Sequence, residues 1–363
     1  MLTQRENWID IAKGWGISLV VYGHIQRGLI KAKIIPDTAF WHYLDSLIYS
    51  FHMPLFFILS GYFLIPGLQK HGASGLFVNK LKSLVYPYLI WSLAQGMLEV
   101  LGSAMTNNQT HWSEVLSLLW APRAQFWFLY VLFLLFILAI LSSKLLLYPN
   151  QRNALALWIK VLLPATLLAR LLKQLDPFPF PLDFICDFAF YFFLGAAIHE
   201  YREALLRLGS KLLSAQTLGC AAVLLACLTL SHGIQEATPA GRLPQTLAAC
   251  LALMLGQFCA SLAGSWMIIS MSLLISKTAR FAGVRLINVL LQDLGQAALA
   301  IYLMHIVFGS GIRIVLQKFL HLDTLALHLA AGLILSLLLP YLLYRLSQHR
   351  KLSFLRYTYE WHR

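Results

Sequence analysis

The chain has 363 residues, 59% of them hydrophobic and only 12% charged, with a formal net charge of +13 and a mean hydropathy of +0.69. A soluble domain carries about 25% charged residues, so the composition argues against a water-soluble surface. The positive charge falls in short connecting segments with no nucleic-acid-binding motif. It is read as membrane topology and contact with anionic lipids, and no nucleic-acid partner is expected.

The N-terminus, MLTQRENWID, carries both charge signs, lacks a cationic n-region and is followed by no small-residue cleavage site. The first apolar run is therefore expected to be a retained helix rather than a signal peptide. Ten segments come near or above the ~20 apolar residues that cross a hydrocarbon core. They predict helices over 10–30, 43–65, 84–105, 126–146, 153–171, 178–199, 211–231, 245–275, 294–316 and 324–346. Lys160 and Pro164 interrupt the fifth, and the eighth is long enough to tilt or to run on beyond the bilayer. Turn formers and charges fill the connections, as in KHGASG, YPNQRN, DPFPFP and HGIQEATPAG.

These features predict an all-α, polytopic membrane bundle of about ten helices, forming a single domain over 1–363 with no appended soluble domain. With the N-terminus in the cytoplasm, Arg5, Lys80, Lys82, Arg345, Arg363 and their neighbours lie on the cytoplasmic side. Arg27, Lys31, Arg123, Arg242 and Lys318 lie on the other. About twice as many cations fall inside, so both termini are expected there. Cys186, Cys220, Cys227, Cys250 and Cys259 form no CxxC or metal-ligand pattern; they are read as packing residues, with no disulfide and no metal expected.

Ionisable residues within spans are costly and are the first candidates for function. The first helix reads WIDIAKGWGISLVVYGHI. Lys13 and His24 are eleven residues apart, about 20° from whole turns and roughly 16 Å in rise, so they share one face. Asp10 lies one turn before Lys13 and is placed to pair with it. Lys13 can snorkel or contact an anionic ligand, and His24 can bond a neighbouring helix or take a proton from a hydroxyl. In the second helix, SFHMPLFFILSGYFL, Pro54 removes a backbone donor and the Ser60–Gly61 pair permits close packing or a bend, which at membrane depth lines a cavity or is buried in protein, with His52 facing that cavity or packing. Lys80 and Lys82 precede the third apolar run, as phosphate contacts or as topogenic charges.

The block WIDIAKGWGISLVVYGH, followed by FHMPLFFILSGYF and KLKSLVYPYLIW, resembles the N-terminal signature of the acyltransferase family 3 membrane proteins. It is most similar to the fucose 4-O-acetylase and sugar O-acetyltransferase branch. QFWFLYVLFL, FAFYFFLGAAI and LGQAALAIYLMHIVF extend the resemblance over most of the chain. It implies about ten helices and acyl transfer, often acetyl, from acetyl-CoA as donor substrate to a carbohydrate or glycolipid hydroxyl. The expected location is the bacterial cytoplasmic (inner) membrane, with no tightly bound cofactor. The family's basic residue and histidine fall on Lys13 and His24, where many members carry Arg in place of Lys13. Its Arg-x-x-Arg pair is met here only by Lys80 and Lys82, at a different spacing.

On this reading His24 is a general base on the acceptor hydroxyl. Lys13 contacts the donor, with Asp10 orienting it and Lys80 and Lys82 at the donor's phosphates. His52, Ser60, Trp127, Tyr302 and His305 are candidates to line the acceptor path. Tyr302 and His305, three apart, share a face and match the family's tyrosine-to-histidine spacing. Packing remains open for His305 and an aromatic-belt place for Trp127. Snorkelling is enough to explain Arg313. The competing reading is a transporter or exporter of a glycan or lipid-linked intermediate, with broken helices and intramembrane histidines but no acyl transfer.

Overall fold

The computed structural model describes residues 6–103, 110–146, 151–173, 178–236 and 246–359, and every regular element among them is helical. Arg5, Arg242 and Arg363 of the cation tally lie outside these residues, as do parts of YPNQRN, DPFPFP and HGIQEATPAG. In chain order the helices are α1 (Asn7–Lys31), α2 (Ala39–Tyr49), α3 (His52–Gly61), α4 (Leu64–Lys80), α5 (Tyr86–Leu101), α6 (Trp112–Leu116), α7 (Trp127–Leu141) and α8 (Ser143–Leu146). They continue as α9 (Gln151–Leu172), α10 (Leu182–Glu200), α11 (Arg202–Arg207), α12 (Ser210–Glu236), α13 (Leu247–Thr278), α14 (Ala282–Gln296), α15 (Ala298–Ile314) and α16 (Leu325–Ser347).

Among the described residues, nine helical stretches are long and apolar enough to cross a membrane. They match the second to tenth predicted segments one for one. α1 is the tenth; it stands outside the nine and carries Asp10, Lys13, Arg27 and Lys31 along 25 residues. At 1.5 Å per residue it is about 37 Å long, enough to span. The chain is a multi-pass membrane protein built of helices, the form that satisfies every backbone group inside its own segment. The interrupted fifth segment is helical through Pro164 as α9, with Lys160 exposed. The long eighth is α13, 32 residues.

The chain forms two compact units. The first comprises Met1–Gly16, Ser46–Phe77 and Leu134–Gln292. Its core is the aromatic run of α10, where Tyr191, Phe192 and Phe193 are fully covered. Phe57 stacks on Phe188 at 4.5 Å, Phe193 on Trp158 at 4.8 Å, and Phe192 meets Phe136 edge-on at 5.0 Å. α3 and α10 touch backbone to backbone. A Cβ on Gly61 would collide with the Phe192 carbonyl, and one on Gly195 with the Ile58 carbonyl. Lipid supplies no hydrophobic drive between helices, so such small-residue contacts carry the packing.

The Ser60–Gly61 pair ends α3 and packs closely, Gly61 lying on the Phe192 backbone, and a second break not read from the sequence lies before Pro54. The chain is helical from His52 through the Ser60–Gly61 pair to Gly61, with Pro54 in the first turn of α3. There a missing N–H costs no helical bond. The interruption lies one turn earlier, at Ser50–Phe51, where Phe51 leaves helical geometry (φ −131°, ψ −19°). The carbonyls there are met by protein: Ser261 Oγ donates to Ser50 O (2.6 Å), and Phe51 O, which accepts from Leu55 N at 2.9 Å, also accepts from Ser265 Oγ (3.3 Å). His52 Nδ1 donates to Ile48 O at 2.8 Å. A gap in a helix is tolerated at depth where protein supplies the bonds.

The second unit comprises Ile17–Asp45, Val78–Phe133 and Asp293–Arg363. Ile25 of α1 seats between two glycines: a Cβ would come within 3.7 Å of it from Gly309 of α15 and 3.2 Å from Gly332 of α16. α1 is tied to α2 by the Arg27–Asp45 fork, 2.8 Å at both oxygens, and by Gln26 Nε2 donating to Trp41 O at 2.6 Å. A 3-10 segment, Arg350–Thr358, closes the unit, its Tyr357 carbonyl accepting from Tyr86 at 2.7 Å.

Gly195→Leu is expected to destabilise the protein by about 1–3 kcal/mol through overpacking, because the obstructing atom is a backbone carbonyl that cannot swing away. Gly209→Ala, which meets nothing within 4 Å, should leave stability unchanged to within about 0.5 kcal/mol. Denaturant titration of the purified protein in detergent compares the two.

Candidate active site

The second unit brings two histidines together. His24 of α1 and His305 of α15 have ring centroids 5.1 Å apart, tilted by 56°. His24 is half-buried and His305 is 1% exposed. His305 Nδ1 lies 2.8 Å from the Tyr302 carbonyl and 3.0 Å from that of Ile301. A carbonyl only accepts, so the proton is assigned to Nδ1 and the lone pair to Nε2. Nε2 is buried and has no hydrogen-bond partner. The preceding helical turn thus fixes the tautomer and leaves a basic nitrogen unused.

Tyr302 anchors this turn. Its ring lies 6.3 Å from His305 and meets Phe128 edge-on at 5.7 Å. Its hydroxyl donates to the backbone carbonyl of Gln125. From Gln125 a polar chain runs to α5. Gln125 Nε2 donates to Gln95 Oε1 (2.8 Å), Gln95 Nε2 to Glu99 Oε1 (2.9 Å), and Arg123 Nη2 to Glu99 Oε2 (2.7 Å). The carboxylate sets the direction, because both amides must point their NH₂ groups toward it. Gly96 makes room for the Arg123 side chain, which a Cβ there would meet at 2.9 Å. Gln125 Oε1 and Ser92 Oγ, both buried, have no protein partner, which leaves one acceptor and one hydroxyl for a ligand or water.

The other predicted residues are distributed as follows. Lys13 and Asp10 stand on residues 7–16 of α1, in the first unit, and the helix runs unbroken from them to His24. Lys13 is half-buried, its Nζ 5.2 Å from the centre of the Phe63 ring. Asp10 is 5% exposed. His52 and Ser60 also belong to the first unit, His52 fully covered with its edge against Tyr49 at 4.5 Å and Ser60 half-buried. Lys80 ends α4 and Lys82 lies in the π-helical turn Leu81–Val85, both half-buried in the second unit. Single π turns recur at functional sites. Trp127 opens α7, half-buried, with its ring 6.4 Å from Phe128.

Two readings change. Arg313 does not snorkel: it is 7% exposed and covered by protein. The polar chain through Gln95, Glu99, Arg123 and Gln125 was not expected. Its signals were a carboxylate inside an apolar run and the glutamine that opens QFWFL; Arg123 had been counted only as a loop cation. Among the described residues no cluster of three or more His, Cys, Asp or Glu could hold a metal.

A multi-pass helical bundle with a histidine pair inside it is the class that fold and site define. The sequence profile of the acyltransferase domain family matches residues 6–345, and the chain belongs to that family. It is similar to the nodulation protein NolL of Mesorhizobium japonicum, 30% identical over 158 residues, which is 43% of this chain and 39% of that protein. The chain thus matches about two fifths of that relative's length. No solved structure matches.

The Glu99–Arg123 pair is expected to behave as a unit. Arg123→Met alone should cost about 3–5 kcal/mol by stranding a largely buried carboxylate. Arg123→Met with Glu99→Gln should recover most of that loss. A double-mutant cycle on unfolding free energies checks the coupling.

Proposed function

We propose that this protein is a membrane O-acetyltransferase that moves the acetyl group of acetyl-CoA to a sugar hydroxyl of a surface polysaccharide, a lipid-linked glycan or a related glycoconjugate. Membership of the acyltransferase domain family supports the reaction class. The observation that carries the catalytic assignment is the His24–His305 pair, with Nδ1 of His305 tied to backbone carbonyls and Nε2 left open.

In this reading His24, the more accessible of the two, removes the proton from the acceptor hydroxyl. The hydroxyl oxygen attacks the thioester carbon, the tetrahedral intermediate collapses with cleavage of the carbon–sulfur bond, and the CoA thiolate takes up a proton. His305 is a positioning residue: its ring lies 5.1 Å from the one on which the proton arrives, and its unprotonated Nε2 would stabilise the imidazolium. The water-poor surroundings make that interaction stronger than it would be in bulk solvent. The unpartnered Gln125 Oε1 and Ser92 Oγ suit a hydroxyl-rich acceptor.

The bias of cations supports cytoplasmic termini in the cytoplasmic (inner) membrane of a bacterium. The N-terminal half of α1 would then face the donor. Lys13 would contact an anionic part of acetyl-CoA, with Asp10 beside it and Lys80 and Lys82 near its phosphates. Replacing Arg by Lys at position 13 keeps the charge but gives up bidentate recognition.

His24→Ala, expressed at normal level in the membrane, is expected to lower acetyl transfer by about 10²–10⁴-fold. His305→Gln is expected to lower kcat more than it raises KM for either substrate. Near-normal transfer by His24→Ala would end the base assignment, and an unchanged kcat in His305→Gln would remove the positioning role.

A further inference from the structure

Arg313 is a protein-covered cation of the second unit with little to bind it. Its guanidinium presents five N–H donors, yet its one side-chain partner is Gln317, whose Oε1 lies 3.5 Å from Nη1. No carboxylate pairs with it among the described residues. Gln317 also reaches the Ala32 carbonyl at 3.4 Å, which puts Arg313 near the C-terminal end of α1. Charges covered by protein are ordinarily paired, because desolvation is otherwise uncompensated. Burial at 7% exposure leaves solvent a poor substitute for a partner.

Its placement relative to the histidines suggests what the partner is. Tyr302, His305, Gly309 and Arg313 fall within an arc of about 80° on α15. Gly309 lies against Ser336 of α16 and Ile25 of α1, so the arc faces the seam between those two helices. Arg313 stands about 12 Å beyond His305 along the axis. On α1, Gly28 follows His24 by four residues, about 40° from its direction. A Cβ at Gly28 would meet nothing within 4 Å. The surface of α1 is therefore open one turn past His24, at a half-exposed glycine. The interval of about 12 Å along α15 suits a sugar with a hydroxyl at the histidines and a negative substituent toward Arg313.

We propose that Arg313 binds an oxyanion carried by the acceptor, so that the acceptor is a phosphorylated or acidic sugar rather than a neutral one. Calling this ligand the acceptor rests on the acetyl-transfer reading; the anion site itself does not. Arginine suits the task because its planar fork meets phosphate or carboxylate through two parallel bonds.

The test uses full-length protein in phosphatidylcholine nanodiscs, with thermal unfolding followed against added glucose 1-phosphate or methyl glucoside at constant ionic strength. Wild-type protein should be stabilised by glucose 1-phosphate and at least about tenfold less effectively by methyl glucoside. Arg313→Gln should lose the response. Arg313→Lys, the safeguard if the first variant folds poorly, should shift half-saturation several-fold upward. Equal responses of wild type and Arg313→Lys, or of wild type and Arg313→Gln, would overturn the proposal. So would a response abolished by anionic phosphatidylglycerol in the nanodisc, which would assign Arg313 to a lipid headgroup. His24→Ala should keep the Arg313-dependent response whether or not it transfers acetyl. Loss of the base assignment and loss of the anion site are therefore separate results.

Discussion

Inside a hydrocarbon slab there is no water to meet a polar group, and that constraint explains most of what is unusual in this chain. It makes the spans helical. It also decides where a helix can be interrupted. Between α2 and α3 the ladder breaks only where Ser261, Ser265 and His52 stand ready to bond the carbonyls there. The same rule orders the second unit. Tyr302 is fixed by the Gln125 carbonyl, and Gln125 by a chain of amides ending on the Glu99–Arg123 ion pair.

Groups that break the rule occur in both units, and those beside the histidines gain meaning from it. His305 Nε2, Gln125 Oε1 and Ser92 Oγ of the second unit are covered and unpartnered, and Arg313 is covered with one long contact. The His305 ring lies 5.1 Å from that of His24. Burial of such an atom without a bond costs about 1–3 kcal/mol. Acyl transfer to a sugar asks for a base, hydrogen-bonding groups for hydroxyls, and a site from which bulk water is kept away. In the proposed reading His24 serves as that base and Gln125 Oε1 and Ser92 Oγ as hydroxyl partners, whereas the transporter reading leaves the backbone-fixed tautomer of His305 without a use.

The helices were legible in the sequence because length and apolarity alone define a span. Even the doubtful fifth is present, its Pro164 absorbed within α9. His24 and Lys13 stood out for the opposite reason, as ionisable groups where such groups are expensive. Three things were not legible. The break before His52 depends on serines more than two hundred residues away. The burial of Arg313 depends on neighbours, and a cation near a helix end reads as snorkelling until they are seen. The Gln95–Glu99–Gln125 chain joins helices whose register no local pattern sets. Periodicity reports which face of a helix is apolar; it does not report which polar atoms meet across three helices.

The central claim is that the membrane bundle itself performs acetyl transfer at the His24 and His305 pair. Purified protein in nanodiscs, given acetyl-CoA labelled in the acetyl group and the surface glycan fraction of its host, tests it most directly. The account predicts label in the glycan with stoichiometric release of free CoA, and loss of both when His24 and His305 are replaced together. Label that stays in acetyl-CoA, while the same protein moves glycan across a sealed vesicle, would contradict it.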